Sequence, residues 1–142
     1  MPRTNYKNVN FDIDLNWASI YEQEVVDMFE HNGAIEVKAE RDQWHRTGNV
    51  AVELYRVYKD TKQKTYTGVM TTDAYWWHIS LVLNNETKRC ITIKSKDLKD
   101  LVIKFGHKKK YKVISMGDKD SKFTTYGMLV PLKELYNKDN IK

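Results

Sequence analysis

Gly33-Ala34-Ile35-Glu36-Val37-Lys38-Ala39-Glu40, a polar loop, and then Thr47-Gly48-Asn49-Val50-Ala51-Val52-Glu53-Leu54-Tyr55 is the stretch on which the fold turns. Its first part alternates strictly. Ile35, Val37 and Ala39 share one side, and Glu36, Lys38 and Glu40 share the other, the period of a β-strand. Its second part alternates again, with Val50, Val52 and Leu54 opposite Ala51, Glu53 and Tyr55. Two such strands joined by a short, polar, Gly-containing loop predict an antiparallel hairpin. On one face of that hairpin Glu36, Lys38, Glu40 and Glu53 would come together.

Upstream, Trp17, Ile20, Tyr21, Val25, Met28 and Phe29 recur at spacings of three and four, which predicts a helix over residues 15–29 stopped by Gly33. Glu24 lies four residues from both Ile20 and Met28 and so falls on that apolar stripe. A carboxylate is rarely desolvated without a partner. If the charged hairpin face packs under this helix, Glu24 joins it. Residues 1–14 read as a polar N-terminal extension with a short strand around 9–13, and residues 15–142 as one domain.

Downstream, strands are expected at 65–70, 76–83, 89–94, 111–116 and 126–130. Thr71-Thr72-Asp73 is expected to cap a short helical turn. Ser95 or Asp97 should cap a helix over 98–105 with Leu98, Leu101, Val102 and Phe105 inward. A last short helix should follow Pro131. Helix, strands, helix, strands is a mixed α/β (α+β) order, with a mixed β-sheet flanked by helices.

With 142 residues the chain has room for a core. Its net charge of +5 and pI near 9.1 favour polyanionic partners, of which nucleic acid is the commonest. The single cysteine, Cys90, forms no internal disulfide and no Cys-rich zinc site, and it suits a reducing, cytoplasmic setting. No apolar run reaches transmembrane length, so no membrane is expected as a partner.

Three carboxylates and a lysine in one place repel unless something neutralises them. Mg²⁺ or Mn²⁺, which prefer oxygen ligands, would do so. Such a metal polarises a phosphoryl oxygen and makes hydroxide available, while a lysine orients water or stabilises developing charge. Alternating Glu-x-Lys-x-Glu is equally the solvated face of an ordinary strand.

The Glu36-Val37-Lys38-x-Glu40 and Thr47-Gly48-Asn49-x-x-x-Glu53 pair, continuing into Thr67-Gly68-Val69-Met70-Thr71-Thr72 and Tyr75-Trp76-Trp77, resembles the PD-(D/E)XK nuclease superfamily. More narrowly it resembles small phage-type members akin to Holliday-junction resolvases. The resemblance implies a restriction-endonuclease-like core and Mg²⁺-dependent (or Mn²⁺-dependent) DNA hydrolysis, as an endonuclease on branched DNA or as an exonuclease. Glu36, Lys38 and Glu53 would be catalytic. Glu24, Glu36 and Glu53, with Glu40 as a further candidate, would hold metal. A phage-encoded protein in a bacterial cytoplasm is implied, and a homodimer if junctions are the substrate. The order departs from the usual one, since the lysine stands on the earlier strand and Glu53-Leu54-Tyr55 has none.

Around the proposed site, Arg41, Trp44, Arg46, Thr47 and Asn49 form a basic, aromatic loop suited to phosphates and a stacked base. An ordinary basic turn with Trp44 packed on the sheet fits the same residues, and His45 reads as a ligand or base or, more commonly for a lone loop histidine, as a solvated side chain. Lys108, Lys109 and Lys110 are further phosphate contacts or a solvated turn. Tyr75-Trp76-Trp77 reads as core. A catalytically silent nucleic-acid-binding module on the same fold is the alternative function.

Overall fold

The computed structural model describes residues 11–30, 34–116 and 121–141, with side chains from residue 17 onward. Helix α1 spans Phe11–Glu30, followed by β1 (Ile35–Arg41), a short α2 (Gln43–Thr47) and β2 (Asn49–Tyr58). Then come β3 (Lys64–Tyr66), a 3₁₀ turn (Gly68–Met70), β4 (Trp76–Leu83) and β5 (Glu86–Lys94). Helix α3 (Ser95–His107), β6 (Val113–Ser115), β7 (Phe123–Pro131), α4 (Leu132–Leu135) and a final 3₁₀ turn (Lys138–Asn140) complete the chain. No described helix is long and apolar enough to cross a membrane.

The protein is α+β. One sheet has the order β1-β4-β5 and the other β3-β2-β7-β6. The first is mixed, with β1 parallel to β4 and β4 antiparallel to β5; every pairing in the second is antiparallel. The β4–β5 hairpin closes through Asn84 and Asn85, both at positive φ, the conformation of a tight two-residue hairpin turn. Val50 and Val52 of β2, Met128 and Val130 of β7, and Trp77 and Ile79 of β4 form the core with the inner face of α3. All of that face's expected residues, Leu98, Leu101, Val102 and Phe105, are buried.

Several expectations are corrected. β1 and β2 are not a hydrogen-bonded hairpin; they belong to different sheets. The loop between them holds α2, which ends at Gly48 (φ 74). A helical turn there takes the chain from one sheet to the other. The strand expected around 65–70 is cut to three residues, because Gly68 turns the chain into 3₁₀ geometry before Thr71. Lys94, not Ser95 or Asp97, stands at the N-cap of α3, without a side-chain cap.

Helix α1 begins at Phe11, across the boundary expected at residue 15, and residues 11–13 are helical where a strand was expected. The expected cap at Gly33 and residues 9 and 10 lie outside the described residues. On the expected apolar stripe Met28 is buried, whereas Trp17, Ile20, Tyr21, Val25 and Phe29 are exposed.

Candidate functional site

In-register neighbours of a sheet share a face. Glu36, Lys38 and Glu40 lie beside Trp77, Ile79 and Leu81 of β4. Those three β4 residues are buried. The charged stripe of β1 therefore occupies the core-facing side of its sheet, and the apolar Val37 on the reverse side is 60% exposed.

A charged group at the margin of a core needs partners. Lys38 Nζ lies 2.9 Å from Glu36 Oε1 and 5.3 Å from the centroid of the Trp77 ring. The Thr72 hydroxyl donates to Glu36 Oε2 at 2.5 Å, and Thr72 Oγ1 accepts from the Ala74 amide at 3.1 Å. Desolvation alone would raise the Glu36 pKa. The hydrogen bonds from Thr72 and Lys38, with the ammonium charge, outweigh it and hold the carboxyl below its ordinary value. Glu36 is thus an ionised, half-buried carboxylate at neutral pH.

Glu40 is treated oppositely. Its Oε1 accepts the Ala51 amide of β2 at 3.1 Å, a side chain standing in for a ladder bond where the two sheets meet. Burial raises its pKa, and that one hydrogen bond offsets the rise only in part.

Glu53 is half-buried on β2, at the irregularity where the β2–β7 register shifts between Glu53 and Tyr55. Gly68 is pressed against it: a Cβ there would lie 2.3 Å from the Glu53 carbonyl oxygen, and φ is +59°. Only glycine fits both demands. The Gly68 carbonyl then accepts the Thr72 amide at 3.1 Å. The turn over 68–72 thus touches Glu53 at one end and Glu36 at the other.

Glu24 does not join this group. It is exposed and lines a hollow with Ile20, Ala34, Tyr75 and Trp76. Trp76 precedes Trp77 on β4 and so faces the reverse side of the sheet. The apolar stripe that brought Glu24 inward in the sequence is itself exposed. Among the described residues no three acidic, His or Cys side chains gather as a metal-holding group. Glu24, Glu36 and Glu53 are therefore not assembled as expected.

The loop residues divide. Trp44 is drawn in, its indole N–H donating to the Val82 carbonyl at 2.7 Å and its ring packed on the core. Thr47 donates to the Gln43 carbonyl and accepts from the Asn49 amide. Arg41, His45 and Arg46 remain exposed, as do Lys108 and Lys109. Lys110 lies 3.6 Å from the buried carboxylate of Glu134 and near the rings of Phe105 and Tyr111. Of Tyr75-Trp76-Trp77, Trp77 is core and Tyr75 is exposed.

Nothing in the sequence around Thr72 marks it as a partner of Glu36. Thr71-Thr72-Asp73 reads as a helix cap, and only the fold brings Thr72 back to a residue 36 positions earlier in the chain. No family model, curated protein or solved structure matches the chain.

Proposed function

We propose that the chain is a Mg²⁺- or Mn²⁺-dependent nuclease acting on DNA, with Glu36 and Lys38 at its centre. One observation carries this reading: an ionised carboxylate and a lysine are held at the core-facing margin of β1, where ordinary packing would place apolar side chains. The sequence resemblance supplies the reaction class.

Mg²⁺ commonly takes only one or two carboxylates, completing its shell with water and substrate phosphate oxygens. Glu36 fits that role; Glu40, four residues further along β1 and bonded to the Ala51 amide, and Glu53 on β2 are the other acids of the proposal. A bound metal would supply Lewis acidity at the phosphoryl oxygen and a more acidic water. Lys38, within reach of Glu36, orients the attacking water or stabilises charge on the phosphoryl oxygens. Thr72 holds the Glu36 carboxylate in place. Exposed Arg41 and Arg46 offer phosphate contacts.

The test is incubation with linear, single-stranded, nicked and four-way-junction DNA in Mg²⁺, Mn²⁺ or EDTA. Cleavage is expected with metal only. Glu36→Gln and Lys38→Met should each reduce it by about 10²-fold or more. Full activity in both variants would refute the reading. A silent nucleic-acid-binding module is favoured by a different observation: Glu36 already has Lys38 and Thr72 as partners, and no three-ligand group is gathered among the described residues. It predicts salt-sensitive DNA binding and no cleavage under either metal.

A further inference from the structure

Helix α1 carries an apolar ridge that its own body leaves uncovered. Trp17, Tyr21, Val25 and Phe29 follow one another at spacings of four and are each at least half exposed. The rings of Trp17 and Tyr21 lie 4.8 Å apart, which makes the start of the ridge continuous. Among the described side chains of α1 only Met28 is buried, and the helix meets its own body through the hollow beside Trp76. A helix of this length is marginal in water unless an apolar face is packed, and a contiguous exposed apolar surface marks a contact.

Charge says what covers it. Residues 11–30 hold six of the chain's 19 acids and none of its 24 Lys and Arg. The helix is therefore strongly acidic, and the rest of the chain is more basic than the overall +5. Two α1 helices laid against each other would set acid beside acid, which disfavours that pairing. The surface that suits the ridge is apolar, basic and free of acids.

This chain has such a surface. A groove of about 410 Å³ lies between α3 and the β3-β2-β7-β6 sheet. Tyr66, Ile103 and Val113 line it and are exposed. Lys64 and His107 stand among them, and no acid does. The Lys64 ammonium is held there over the rings of Tyr55, at 4.1 Å, and Tyr66, at 5.2 Å. One chain thus carries two uncovered apolar surfaces of opposite charge.

We propose that the α1 ridge of one copy seats in the α3 groove of a second copy, whose own ridge seats in the first. Two identical contacts then close a two-fold dimer. Trp17, Tyr21 and Phe29 are its aromatic anchors, with the α1 acids facing Lys64 and His107 across the rim.

The full chain is followed by sedimentation equilibrium, and by capture of an untagged copy on a tagged one. A dimer of the 16.8 kDa chain is expected. Tyr21→Lys breaks the ridge and Ile103→Glu breaks the groove, both at exposed positions. Each alone should weaken dimerisation by about tenfold or more. Mixed together they should associate more tightly than either does with itself, because the intact ridge of one meets the intact groove of the other. Should Ile103→Glu fail to fold, Val113→Glu tests the same groove from β6. A monomeric parent chain would overturn the proposal, leaving the ridge to its own body or to a different protein. So would a dimer that survives the groove variants, which would mean that α1 pairs with α1, or a mixture that does not associate. Neither DNA nor metal enters the measurement, so its outcome is separate from that of the nuclease reading.

Discussion

β1 and β2 are both strictly alternating strands, yet they are seated in opposite senses. β2 turns Val50, Val52 and Leu54 into the core. β1 turns Glu36, Lys38 and Glu40 toward the core side and leaves Val37 exposed. Alternation therefore defines two faces but not which of them is inward. Where the apolar face goes in, burial is its own reward; each fully buried Val is worth about 1.5–3 kcal/mol. Where the charged face goes in, every group needs a partner, and each acid has one: Lys38 of the same strand and Thr72 beyond the 3₁₀ turn for Glu36, and the Ala51 amide of β2 for Glu40.

The largest test of this contrast is the pair Val52→Ala and Val37→Ala. Val52 is 1% exposed and Val37 60%. The first substitution should cost about 2–3 kcal/mol in chemical denaturation through lost burial and a cavity, and the second no more than about 0.5 kcal/mol. Equal costs would mean that β1 does not expose its apolar face.

A smaller effect separates the two acids. The Glu36 pKa is depressed in the folded state, so its ionised form stabilises the fold above the ordinary value of 4.5, and that stability is lost as pH falls through the lower folded value. The Glu36 side chain is 33% exposed, so solvent screening limits the pair, and Glu36→Gln should cost about 0.5–1 kcal/mol at pH 7. Stability followed from pH 7 to pH 3 should show the variant and the parent converging.

The smallest effect has the opposite sign. Glu40's folded pKa lies above 4.5, so its ionisation weakens the fold as pH rises from that value through the raised one. Glu40→Gln keeps an acceptor for the Ala51 amide. It should be neutral or stabilising at pH 7, by less than about 1 kcal/mol, and the gain should vanish in acid. A loss of stability at pH 7 would show that the carboxylate charge itself joins the sheets.

The local parts of the fold were legible. β2, β4 and the inner face of α3 follow directly from their periodicity, because each packs as its pattern demands. The pairing of β1 was not. Gly48 in a short polar loop is a strong hairpin signal, but β1 pairs with β4, Ile35 opposite Trp76. Nothing local to β1 encodes a parallel partner so far along the chain. The stripe of α1 was legible too, yet a stripe names a face without naming what covers it. Of the candidate site, Glu36 and Lys38 could be read from Glu-x-Lys. Thr72 could not, since a threonine gains meaning only from what the fold sets beside it. Glu24 failed for the reason α1 did.

The Lys38 ammonium, 5.3 Å from the centroid of the Trp77 ring, has an optical consequence. Excitation redistributes electron density across an indole, so a nearby positive charge displaces its emission wavelength. Trp77 is 2% exposed, which shields that emission from changes in bulk solvent. A chain with Phe at Trp17, Trp44 and Trp76 would therefore carry a fluorophore tuned by one ion pair. Movement of Lys38 away from the ring, when a cation binds at Glu36 or the carboxyl is protonated, would be recorded as a colour change from within the protein.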